Sequence, residues 1–167
     1  MRIFDMRVNH IVNPLGFKLE PVRLSYKVDG TAGRKQAAAR IVVSKRADLN
    51  EPIVDTGRRA DINSLSFVPE FKLEPRTRYY WNATVWADNG DTATGETQWF
   101  ETGKMDEPWQ AKWITADIEG HVNLNKVFAI QKEIACARVY ITGLGLSSQH
   151  FSKSWNISSS SAHALVS

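Results

Sequence analysis

Between Leu73 and Ala87 the chain reads LEPRTRYYWNATVWA, with a strict two-residue period. Leu73, Pro75, Thr77 and Tyr79 sit two apart, Trp81, Ala83 and Val85 keep the period, and Tyr80, Asn82 and Thr84 take the alternate places. Alternation rich in aromatic and β-branched residues predicts a half-buried antiparallel strand. Pro75 fixes a turn at its entrance, since proline holds φ and donates nothing to a ladder. Parity sends Tyr79 and Trp81 toward a core and leaves Tyr80 and Trp86 on the opposite face. The same pattern recurs more briefly elsewhere. Phe4, Met6 and Val8 alternate with Asp5, Arg7 and Asn9; Val22, Leu24, Tyr26 and Val28 alternate with Arg23, Ser25 and Lys27. Ile53-Val54, Leu65 with Phe67, and Thr97 to Phe100 add further short strands. Ala37-Ala38-Ala39 favours helix locally and Ile41-Val42-Val43 favours strand. The neighbouring strands decide for a strand from Ala38 to Ser44, because β-propensity yields to context. Asn13-Pro14-Leu15-Gly16, Asp29-Gly30, Asp55-Thr56-Gly57 and Asn89-Gly90 supply the turns. These strands and turns predict an all-β antiparallel sandwich that needs no helix.

Near Lys104 the pattern changes. Residues 1–104 read as the first domain and 105–108 as a polar, proline-containing linker. Trp109 to Thr115, Val127 to Ile134 and Ala137 to Thr142 then resemble the opening strands of a second, partial β-domain over 109–146. Trp109 and Trp113 are expected to anchor its core. Residues 147–167 are rich in serine, with Ser158 to Ser161 in a row, and read as a flexible or aberrant tail.

Composition narrows the function classes. Hydrophobic residues make up 43% of the 167 and charged residues 23%, which suits a folded globular protein rather than a disordered one. No apolar run approaches the roughly 18–20 residues of a membrane-spanning helix, and MRIFDMRVNH holds no signal-peptide apolar region, which fits a cytoplasmic protein if this start is native. The net charge of +3 comes from basic residues scattered along strands and turns, such as Arg23, Lys27, Arg40, Lys45 and Arg46. Scattered charge of this kind reads as solvated strand faces, not a nucleic-acid patch. Cys136 is the sole cysteine, so no internal disulfide forms, and its apolar neighbours make it a small core residue. His10, His121, His150 and His163 form no H-x-H or H-x-x-x-H pair, and Gly143-Leu144-Gly145 lacks the third glycine and helix of a phosphate loop. No cofactor or metal is expected.

Two resemblances sharpen the picture. The spacing L-x-P-x-T-x-Y at Leu73, Pro75, Thr77 and Tyr79 resembles the tyrosine corner of immunoglobulin and fibronectin type III-like sandwiches. It implies structural roles for Leu73, Pro75, Tyr79 and Trp81, with the Tyr79 hydroxyl bonded to upstream backbone. A longer series runs in order: Asn13-Pro14-Leu15-Gly16, Leu24-Ser25-Tyr26, Gln36 with Ala38-Ala39-Arg40-Ile41, and Asp55-Thr56-Gly57. It continues through Tyr79-Tyr80-Trp81 and Trp99-Phe100-Glu101-Thr102-Gly103 to Trp109-Gln110-Ala111-Lys112-Trp113-Ile114 and Ala137-Arg138-Val139-Tyr140-Ile141-Thr142-Gly143-Leu144-Gly145. Over residues 8–146 it resembles the N-terminal portion of bacterial alpha-L-rhamnosidases. Departures are Ser25-Tyr26 where the family often has Ser-Trp, Ala39 where it has an aromatic, and Leu146-Ser147-Ser148-Gln149-His150 where an aromatic strand would follow. The last places the end of family-like sequence near Gly145 or Leu146.

The resemblance implies a non-catalytic N-terminal fragment of an inverting glycosidase whose paired carboxylates lie in an (α/α)₆ barrel. The chain itself is expected to be inactive, with the remaining modules of the parent enzyme as partners. Tyr80 and Trp86 are the candidates for outward chemistry, as an interface or as a platform for rhamnose-containing glycans, and packing is the favoured role. The rival reading is a free-standing fibronectin-like binding or adhesion module.

Overall fold

The computed structural model describes residues 1–112, 133, 138 and 140, and the backbone of 151–155 and 162–166. Cys136, Trp113 and most of the three segments expected to open a second domain lie outside the described residues. Trp109 to Lys112 carry no strand. The chain divides after Pro108 into two units.

In the first unit the strands are β1 (Arg2–Val8), β2 (Leu15–Phe17), β3 (Leu24–Asp29), β4 (Gln36–Ser44), β5 (Val54–Asp55), β6 (Arg78–Ala87), β7 (Thr92–Thr94) and β8 (Gln98–Thr102). Among the described residues there is no helix. β1 and β3 pair antiparallel, and a single bridge from Leu24 to Phe67 adds a third segment on the other side of β3. The larger sheet runs β2-β8-β6-β4-β5, with β7 also paired to β6. Its interior is shared with the smaller sheet: Leu24 and Tyr26 on one side meet Ile41, Val43, Tyr79, Trp81, Val85 and Phe100 on the other. Burial of such side chains is the main stabilising term, about 1.5–3 kcal/mol for each large aliphatic or aromatic one. The second unit contributes β9 (Phe151–Trp155) and β10 (Ala162–Val166), paired antiparallel with Ala162 opposite Trp155 and Val166 opposite Phe151.

β4 settles the ambiguity between helix and strand. It lies between β6 and β5, pairing Ala39 with Val85 and Val43 with both Trp81 and Val54. Two ladders outweigh the local helix preference of three alanines. Three sequence expectations are revised in detail. In β1 the buried residues are Ile3, Met6 and Val8, not Phe4, because a register shift between Phe4 and Arg7 exchanges the faces at Asp5, whose φ is +48°. The strand expected at Leu65 and Phe67 shrinks to the single bridge at Phe67, since the Asn63 carboxamide accepts a hydrogen bond from the Leu65 amide and makes a turn there. The turn at Asn13–Gly16 leads directly into an edge strand, and β2 runs parallel to β8.

Candidate functional site

The corner ahead of β6 has the geometry its spacing predicts. The Glu74 amide donates a 2.8 Å hydrogen bond to the Tyr79 hydroxyl, and Thr102 Oγ1 donates to the Glu74 carbonyl at 2.6 Å. The Tyr79 ring is fully buried, stacked on Phe100 and edge-on to Phe71, and burial pushes its phenol above the ordinary value. Leu73 packs against the same core, while Pro75 stands exposed at the turn. Trp81 is fully buried, and its indole N–H has no hydrogen-bond partner. It therefore serves by volume.

A polar link crosses between the sheets. Tyr26 on β3 donates 2.8 Å to Gln36 Oε1 at the head of β4, and Gln36 Nε2 donates 2.7 Å to the Ile62 carbonyl. Burial raises the Tyr26 phenol to about 12, so it remains a donor across the physiological range.

On the outer face of the larger sheet, Tyr80 and Trp86 share a side, as parity requires. They do not form one platform: six residues along a strand place them roughly 20 Å apart. Both are half-buried. The Arg58 guanidinium lies 4.8 Å from the Trp86 ring centre, on a ring a sugar would need for stacking. The neighbour of Tyr80 is instead Trp99, directly opposite it on β8. Arg78 crosses the Trp99 ring at 4.1 Å and donates 2.9 Å to Glu101, whose side chain is only 8% exposed. Trp99 and Arg78 escaped the reading of the sequence, although the parity of Trp99 against core-facing Phe100 was available to find the first. Their pairing needed the register of β6 and β8.

Five aspartates are paired with cations. Asp5 faces Lys27 and Arg7, Asp29 faces Arg2, Asp48 faces Arg46, Asp55 faces Arg40 and Asp61 faces Arg59. Among the described residues, wherever the surroundings move a carboxyl from its ordinary range they move it down, in each of these pairs chiefly through the hydrogen bond from the cation. The general acid of a glycosidase needs the opposite shift. The described residues include no group of three or more His, Cys, Asp or Glu placed to hold a metal ion, and no helix long and apolar enough to cross a membrane.

Comparison with known proteins agrees with this architecture. Residues 3–106 match the family described as Rha78A-like, N-terminal immunoglobulin domain. The chain belongs to that family. Among curated relatives, an alpha-L-rhamnosidase of Streptomyces avermitilis is 38% identical over 70% of this chain and 12% of its own length. One of Formosa agariphila is 30% identical over 80% of this chain and 17% of its own. The solved structure of the Streptomyces avermitilis alpha-L-rhamnosidase complexed with L-rhamnose superposes with a TM-score of 0.60 at 33% identity, covering 69% of this chain and 12% of that one. The alpha-L-rhamnosidase from Dictyoglumus thermophilum gives 0.61 at 27% identity, covering 77% and 15%. The chain thus spans 12–17% of the curated relatives' length, and it corresponds to their N-terminal part.

Proposed function

We propose that this chain supplies the N-terminal, non-catalytic sandwich module of an alpha-L-rhamnosidase, and that its work is architectural support for the parts of the enzyme that bind and cleave the sugar. The observation that carries this reading is the family match over residues 3–106, which occupies the N-terminal immunoglobulin position of such proteins. The chemistry of the surface supports it, because carboxylates held ionised by neighbouring cations are poor proton donors. We read Tyr80 with Trp99, and separately Trp86, as places where another module of the parent enzyme packs. Their distance apart and the arginines laid across Trp86 and Trp99 favour packing over stacking on a glycan.

The purified chain, assayed with an aryl alpha-L-rhamnoside, is expected to give no turnover above buffer. Sustained turnover that persists through repurification would overturn the non-catalytic role. In the same preparation, tryptophan fluorescence should be unchanged on titration with rhamnose-containing oligosaccharides. A saturable change that is lost in Trp86→Ala or Tyr80→Ala would make the outer face a sugar site.

A further inference from the structure

The segment expected to be a linker is tied to the first unit at several points. The Gly103 amide donates to the Phe17 carbonyl at 3.2 Å, and the Gly103 carbonyl accepts from the Arg76 amide at 2.8 Å. Beyond it, Lys18 Nζ lies 3.0 Å from Asp106, and Arg76 Nε lies 2.7 Å from Glu107. Lys104 Nζ donates to the Glu107 carbonyl, and the Glu107 amide donates back to the Lys104 carbonyl, closing a turn in which Met105 has φ +52°. Met105 and Asp106 also form one wall of a cavity of about 350 Å³, whose apolar wall includes Leu19, Phe71 and Leu73. The family match continues to residue 106, through this turn.

We propose that residues 104–107 are an electrostatic strap that fixes the course of the chain as it leaves the sandwich. Two cations from distant parts of the fold, Lys18 after β2 and Arg76 in the corner before β6, hold consecutive acids of the strap. Met105, half-buried between those two anchors, lines the cavity. Each exposed ion pair contributes little alone; two of them joined by a closed turn make local opening uncommon. The device is independent of whether the parent protein cleaves rhamnosides, and it can fail while that reading stands.

Limited trypsin digestion of the full chain tests it, because the Lys104–Met105 bond lies inside the strap and the bond after Lys112 lies beyond it. Cleavage after Lys112 is expected first, with cleavage after Lys104 at least about tenfold slower than in the urea-unfolded protein. Lys18→Gln with Arg76→Gln leaves the cut sequence intact and should raise the rate after Lys104 about tenfold. Cleavage after Lys104 as fast in the folded wild type as in the unfolded chain would overturn the proposal. So would a folded double variant that keeps wild-type protection. If the double variant does not fold, wild-type protection measured from low to high salt decides: a fall supports the strap, and no change overturns it.

Discussion

Tyr79 shows how one hydroxyl secures a crossover. Its oxygen accepts the Glu74 amide in a buried corner, so Tyr79→Phe leaves that amide without its partner while preserving the ring's packing on Phe100. The expected cost is about 1–2 kcal/mol in urea unfolding; a loss below about 0.3 kcal/mol would mean that solvent takes over the bond. Asp55 sets a different test at the same scale. Its carboxyl takes a bidentate pair of hydrogen bonds from Arg40 and a third from the Gly57 amide, and it sits at about 2. Because the folded value lies below the unfolded one, the stabilisation is present above about pH 4 and disappears as the pH falls through 2. A fully shielded pair with that gap would contribute about 2.5 kcal/mol. With 33% of the Asp55 side chain and 45% of the Arg40 side chain exposed, screening brings it to about 1 kcal/mol. Asp55→Asn should therefore cost about 1 kcal/mol at pH 7 and only a small fraction of that at pH 2. Equal losses at both pH values, followed by chemical denaturation, would show that the charge is not the source.

At the scale of elements, β2 is the least independent strand of the larger sheet. It has three residues, all exposed, and survives through its contact with β8 and the residues that follow it. That contact depends on a glycine: a Cβ at Gly103 would lie 2.3 Å from the Gly16 carbonyl oxygen. Gly103→Ala should push β2 off the sheet edge and cost at least about 2 kcal/mol, with the loss of amide-exchange protection concentrated at the end of β8 and in β2. Protection lost evenly throughout the module would point to a core effect instead. The same close approach explains why the alternation in 98–102 ends with three buried residues, Phe100, Glu101 and Thr102, where a solvated strand would keep alternating. β2 covers what would otherwise be the outer edge.

For the whole first unit, the two sheets are joined by an apolar interior and by the Tyr26–Gln36–Ile62 relay, while the Tyr79 corner fixes the entry to β6. Apolar burial supplies the energy, and the polar contacts select one register and one crossover, since a shifted register would strand a buried phenol. With no disulfide, this combination is what keeps the sheets aligned. Many of its surface acids are paired with a neighbouring cation. The few half-buried aromatics stand apart on the outer face, each beside an arginine or another ring. The rhamnoside assay above tests the proposed non-catalytic role for the molecule as a whole.

Much of this was legible in the residues. The two-residue period between Leu73 and Ala87 determined strand β6, the inward course of Tyr79 and Trp81, and the tyrosine corner, because side-chain direction in a strand follows parity and the corner's spacing is local. The order of motifs from Asn13 to Gly103 pointed to the family for a similar reason: each motif answers a local turn or packing need. Tertiary structure decided what depends on register and on contacts far apart in the chain. It paired Tyr80 with Trp99 and separated it from Trp86, reversed the face of Phe4 at a bulge, and set Ala39 in a strand. It also drew Lys18 and Arg76 onto Asp106 and Glu107. No periodicity encodes a contact between residues 88 positions apart, and the proposed strap rests on long-range contacts of this kind.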